Sequence, residues 1–354
     1  MTFLQAVILE CLRQINGERT IYSVYHLLKG KKSSQTIQDA HLFRLGHYFK
    51  TFPQMDRMEY NFTIKYLTQE GFISPINDSQ KYIMTENGSD KCKAYFYKTP
   101  VLHSLNGWKY QDTAILLWKR LTLLVQTISH LNHRDKRYQA VQRDPDVYKW
   151  IKQFLKQYKG GRGDLSKSIY DELHHIFSGG FPESPLMIVL KLTGRNLIGL
   201  TTKQVANKLG VEETEYHFRF LNALHYMIDQ IISQGRQYPL LHTIISDIFQ
   251  SIPYTKSTLK TYELLQKNMT IDQVAQVRKL RKSTIEDHVI EIALTDHQFS
   301  IDHLIDQHKI DEIIDAVTLL GEKKLRPIME HIEHVSYFQI RLVLARLGGK
   351  CEQI

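Results

Sequence analysis

Cysteine is scarce in this chain: Cys11, Cys92 and Cys351 are the three among 354 residues, and they lie far apart. Neither a disulfide framework nor a thiolate zinc site is therefore expected. No stretch reaches the roughly 18 uninterrupted apolar residues that a bilayer span requires. Residues 1–10 lack a basic n-region and a small-residue cleavage site, and Glu10 breaks their apolar run, so export is not expected. A reducing cytoplasm is the expected compartment. Enzyme signatures are missing as well: there is no G-x-x-x-x-G-K-[ST] loop, no G-x-S-x-G elbow and no H-E-x-x-H helix. No catalytic residue is therefore expected, and the chain alone is not a Walker-type motor. The pairs His130/His133 and His331/His334 have the i, i+3 spacing of helical metal ligands but lack further ligands nearby, so neither metal nor cofactor is expected.

Positive charge is plentiful. Forty-six Lys and Arg stand against 37 Asp and Glu, a formal charge of +9, which favours a polyanionic partner. The excess is uneven. Residues 1–97 hold twelve cations to nine acids, 98–254 twenty to thirteen, and 255–354 fourteen to fifteen. At ~100–200 residues per domain the length suits these three zones as three folding units.

In zone 1–97 the apolar residues Phe3, Leu4, Val7, Ile8, Cys11, Leu12 and Ile15 follow a 3.6-residue period, predicting a helix that ends at Asn16-Gly17. Helices are expected over 22–28, in the stretch after a polar turn at 29–36, and from Asp56 to Gln69. A short hairpin follows, with strands near 71–73 and 82–85 around a turn at Asn77-Asp78-Ser79. Helices leading into a hairpin predict a winged-helix-like unit, whose Lys65 and Lys81, with Tyr60 and Tyr66, could face phosphates. Such a unit serves equally as a docking element. Zone 98–254 reads as helical almost throughout, including helices over 145–158 and 165–177 separated by the loop Gly160-Gly161-Arg162-Gly163. The expected fold class is mainly α.

Two motifs carry function. Thr270 and Gln273 form one capping box, and Ser283 and Glu286 a second, so two short helices should pack across a basic turn with 284–294 in the recognition position of a helix-turn-helix. Arg278, Lys279, Arg281 and Lys282 would lie beside phosphates, and Ser283, Thr284 and His288 would approach bases. Glu286 and Asp287 oppose that reading, and a packing or partner-binding module remains the alternative. A looser copy, capped by Thr201 and Gln204, turns at Gly210 into an acidic helix start at Glu212, Glu213 and Glu215, which favours a structural role. The second motif lies between Lys119 and Lys167, where twelve cations meet four acids. Within it Lys149, Lys152, Lys156 and Lys159 recur on one helix face opposite Trp150, Ile151, Phe154, Leu155 and Tyr158, a candidate phosphate track that Arg162 could extend.

The run from Thr270 to Val289, with the ending Val335-Ser336-Tyr337-Phe338-Gln339-Ile340-Arg341-Leu342-Val343-Leu344-Ala345, resembles the helicase-associated helix-turn-helix family over about 255–347. That domain closes some RecQ-type helicases. It also occurs in stand-alone Gram-positive bacterial proteins encoded beside such a helicase, the YpbB-like group, which this chain resembles in length and in its helical middle. The resemblance implies an accessory factor that binds a RecQ-type helicase and DNA, with low sequence specificity, in DNA repair or recombination. ATP hydrolysis would belong to the partner, and the location would be cytoplasmic, at the nucleoid. The competing reading is an autonomous helix-turn-helix transcription regulator.

Overall fold

In the computed structural model of the chain, residues 1–77, 80–135, 137–296, 298–320 and 325–350 are described. The expected turn residues Asp78 and Ser79 lie outside them, as does Cys351. The chain opens with α1 (Phe3–Ile15), α2 (Tyr22–Lys29), α3 (Ser34–Leu42) and α4 (Arg57–Gln69). The hairpin strands β1 (Ile73–Ile76) and β2 (Lys81–Met84) follow, and then α5 (Glu86–Lys98). The middle holds α6 (Gly107–Asn132), α7 (Pro145–Gln157), α8 (Arg162–Ser178), α9 (Leu186–Val189), α10 (Thr202–Leu209), α11 (Glu213–Ser233) and α12 (Pro239–Ile245). The last part holds α13 (Lys256–Leu265), α14 (Ile271–Arg278), α15 (Lys282–Thr295), α16 (Gln307–Leu320), α17 (Leu325–His331) and α18 (Tyr337–Lys350). The fold is mainly helical, with a small antiparallel hairpin and a C-terminal helix-turn-helix.

The three sequence zones become two compact units. One combines Met1–Ala6 with Phe96–Phe249, and the other combines Val7–Tyr95 with Gln250–Ile354. Charge along a chain reports surface composition, whereas compactness follows from packing between elements remote in sequence. In the second unit that packing sets α3 against both α15 and α18.

In the first unit, α6 is the central strut. Leu117, Leu121, Leu124 and Ile128 are buried against a core that includes Ile151 of α7, Ile169 of α8, Ile228 of α11 and Ile244 of α12. Two acids tie helix ends in this unit. Glu172 accepts the Leu240 and Leu241 amides at 3.0 and 2.9 Å, satisfying free donors at the start of α12, and Glu212 accepts the Phe3 amide at 2.7 Å. The acidic start of α11 is thus used within the fold, consistent with a structural role for the looser helix-turn-helix copy. Its Thr201–Gln204 capping box forms reciprocally at 3.3 and 2.9 Å, and Gly210 turns with φ +67°.

In the second unit, the hairpin pairs Ile73 with Met84 and Ile76 with Lys81. Helix α5 is the element that the sequence reading does not anticipate, because Asn87-Gly88 resembles a turn. The helix starts there because the Thr85 hydroxyl accepts the Gly88 amide at 3.0 Å. Gly88 also lets the helix lie on the hairpin: a Cβ at this position would stand 2.1 Å from the Phe72 carbonyl oxygen. Tyr60 belongs to the core, 1% exposed, with its hydroxyl donating to the Ile21 carbonyl at 2.6 Å, so it is withdrawn from any phosphate contact. Replacing Gly88 with Ala should therefore cost about 1–3 kcal/mol in denaturant unfolding, the range of an overpacked core site. An unchanged midpoint would show that α5 does not pack on Phe72.

Candidate nucleic-acid interface

The helix-turn-helix of the second unit is built from α13, α14 and α15. Its first helix start forms as expected: the Thr270 hydroxyl accepts from the Gln273 amide at 3.3 Å, and the Gln273 side chain accepts from the Thr270 amide at 2.9 Å. The second start does not. Helix α15 begins at Lys282 with Arg281 in the N-cap position and no side-chain cap, so Ser283 lies inside the first turn rather than before it. The reason is in the turn. Lys279 takes a left-handed conformation, φ +53°, that ends α14, the Leu280 amide reaches back to the Ala275 carbonyl, and the chain needs only Leu280 and Arg281 to begin the next helix.

The seven expected residues of this motif separate into two groups. Lys279, Arg281, Lys282 and Ser283 are exposed and Thr284 is half-buried, all around the start of α15. Lys282 meets Asp272 at 3.1 Å, a pair exposed enough to exchange for a phosphate. Arg278 and His288 turn inward. The Arg278 guanidinium donates to the Ser257 carbonyl at 2.8 Å and the Ser257 hydroxyl at 3.0 Å, and it also holds Thr261, so it braces α14 on α13. His288, 9% exposed, bonds Thr261 through Nδ1 at 2.8 Å. Burial, with the Arg278 charge beside it, pushes its imidazole down to about 4. His288 is therefore neutral and internal, which corrects its expected approach to bases. From His288 to Leu294 every residue of α15 is buried, because α3, α13, α14 and α18 all pack on it.

The acids of α15 are also resolved. Asp287 is ion-paired with Arg341 of α18 at 2.7 Å and accepts the Ser34 hydroxyl at 2.9 Å, while Arg341 Nε donates to Gln38 at 2.9 Å and its far nitrogen reaches Ser34. Glu291 is buried and accepts the Thr258 hydroxyl at 2.6 Å and the Thr255 amide at 2.5 Å. Burial raises its carboxyl above the ordinary range, against the pull of those donors. The sequence reading missed Ser34, Gln38, Arg341 and Glu291 as partners. One signal was available: Arg341 is a cation set between Ile340 and Leu342, which calls for an anionic partner.

The second candidate lies in the first unit. Helix α7 starts at Asp144, whose carboxylate accepts the Asp146 amide at 3.1 Å, with Pro145 at the first helical position. Val147, Ile151 and Phe154 are buried, and Trp150 stacks on Phe154 with ring centroids 5.1 Å apart. The opposite face leaves Lys149, Lys152 and Lys156 exposed, and Lys159 is exposed just past the helix end. Arg162 does not sit in a loop: Arg162 opens α8, with the Gly161 amide donating to Asp164 at 3.2 Å, and its side chain lies outside the described residues. Two cations counted in this stretch are used internally. Arg120, 7% exposed, forks onto Asp247 at 2.5 and 2.8 Å and covers the Trp150 ring at 4.4 Å, and Lys119 meets Asp144 at 2.9 Å.

These features define a helix-turn-helix protein: a family model described as a helix-turn-helix domain matches residues 257–344. The chain belongs to the YpbB family, being 31% identical over 347 residues to Protein YpbB of Bacillus subtilis (strain 168), with 98% of each chain covered. No solved structure matches. No helix among the described residues is long and apolar enough to cross a membrane.

Two predictions follow the geometry. Thr270→Ala should cost about 1 kcal/mol by removing a cap, whereas Ser283→Ala should cost less than about 0.5 kcal/mol, both read by chemical unfolding. Equal losses would place the start of α15 at Ser283 after all. His288, held near 4 when folded against an ordinary 6.5, binds its proton less tightly in the folded chain than in the unfolded one. The stability that it confers is complete above about pH 6.5 and is lost as pH falls toward about 4. Wild type should therefore lose stability relative to His288→Gln across that window, and a difference independent of pH would contradict a neutral, buried imidazole.

Proposed function

We propose that this protein is a non-enzymatic adaptor that binds a RecQ-type DNA helicase and DNA, supporting DNA repair or recombination by holding the motor on its track. The observation that carries the DNA half is the exposed cationic turn of Lys279, Arg281 and Lys282 at the start of α15, beside an acid, Asp287, already held by Arg341. Phosphates meeting that turn encounter cations without a free opposing carboxylate at 287. The lysine face of α7 adds a second cationic track, with Lys149, Lys152 and Lys156 at helical spacing. Burial of α15 beyond Asp287 leaves about one helical turn for base edges. That argues for weak sequence preference and against an autonomous regulator, which needs several base-reading side chains and a paired half-site. The helicase half rests on the family resemblance, together with the lack of any phosphate loop in the chain. Work on the chromosome implies a cytoplasmic, nucleoid-associated location.

Co-elution of the purified chain with a RecQ-type helicase is the direct test, and separate elution would sink the adaptor reading. ATP turnover by the chain alone would sink it too. Changing Lys149, Lys152, Lys156 and Lys159 together to Ala should weaken duplex binding about tenfold or more at moderate salt and lower the slope of log affinity against log salt by about 2–4. An unaltered slope would remove α7 from the interface.

A further inference from the structure

The N-terminal segment of the chain packs on the helix-turn-helix one turn beyond its exposed cationic start. Ser34, the first residue of α3, donates to Asp287 at 2.9 Å, and Gln38 one turn later accepts from Arg341 at 2.9 Å. These bonds fix the approach to α3 against α15, four residues beyond the exposed Ser283 on the same helix face. Lys31 and Lys32 lie on that approach, and both are exposed. Lys32 is close enough to Glu291 for its charge to favour that carboxylate. Glu291 also accepts from Thr255, the residue before exposed Lys256, so the segments carrying Lys32 and Lys256 both reach the same carboxylate of α15. The acids nearby are engaged: Asp272 with Lys282, Asp287 with Arg341, and Glu291 with the donors of Thr255 and Thr258, leaving Glu286 half-buried.

We propose that Lys31 and Lys32 are phosphate-contacting residues, which with Lys256, Lys279 and Arg281 make a composite surface for the backbone of duplex DNA. In this arrangement the N-terminal segment supplies part of the footprint of the helix-turn-helix, from the opposite end of the sequence. Contacts of this kind carry affinity and register but no sequence information. The inference rests on the DNA-binding reading given above.

The test uses the full chain and a fluorescein-labelled duplex of about 30 base pairs, with anisotropy followed from about 50 to about 200 mM salt. Lys31→Ala with Lys32→Ala should lower the slope of log affinity against log salt by about 1–2, weaken binding several-fold equally on two unrelated sequences, and leave the circular dichroism spectrum intact. Lys31→Arg with Lys32→Arg should restore the slope. Lys203→Ala with Lys208→Ala removes the same charge from exposed positions of α10 and should leave the slope unchanged. A wild-type slope in the Lys31/Lys32 alanine variant overturns the proposal while the DNA reading stands. An equal fall in the Lys203/Lys208 variant overturns it as well, since net charge alone would then account for the effect. A wild-type chain that does not bind the duplex at about 50 mM salt overturns the DNA reading, and this inference falls with it.

Discussion

The carboxylate of Asp287 occupies the position on which the C-terminal half of the protein turns. It lies in the second turn of α15, where the helix passes from solvent into a core, and it accepts from Arg341 of α18 and Ser34 of α3 at once. A carboxylate left unpaired there would face both a desolvation cost and, in a DNA complex, repulsion from phosphates. Pairing answers both. The same bonds join helices from the two ends of the sequence around one central helix, so removing either partner would disturb the packing of α3 as well as the electrostatics of the reading helix.

That arrangement limits what α15 can read. A helix packed on by α3, α13, α14 and α18 has little free surface, and from His288 onward none of its residues is exposed. Its start alone can enter a groove. What α15 leaves at the surface is a short helical tip ringed by the exposed cations Lys279, Arg281 and Lys282.

Net positive charge is a poor guide to which cations are available. Arg120, Arg278 and Arg341 are all spent on internal forks, to Asp247, to Ser257 and Thr261, and to Asp287. Arginine suits such roles because its planar fork satisfies several acceptors at once. The exposed cations are mostly lysines, on α7 and around the helix-turn-helix, where a solvated point charge on a flexible stem can exchange water for phosphate.

Much of this was legible from local pattern. The α1 period, the Thr201 and Thr270 capping boxes, a hairpin and a lysine face on α7 all depend on neighbours within a few residues; the first strand lies at Ile73–Ile76 rather than near 71–73, and Lys159 falls past the helix end. Other features required distant contacts. Ser283 resembles a cap, yet the left-handed Lys279 lets α15 start two residues earlier. Gly88 resembles a turn, yet it allows a helix to approach the Phe72 carbonyl. His288 carries a polar side chain at a reading position, yet Thr261 of α13 draws it inward. The sequence by itself determined the helical class, the helix-turn-helix and the cationic faces, because periodicity, capping and composition act over one or two turns. Tertiary structure alone decided that residues 7–95 join residues 250–354 in one unit and which charges are engaged internally, because a side chain's partner across that unit lies up to 307 residues away.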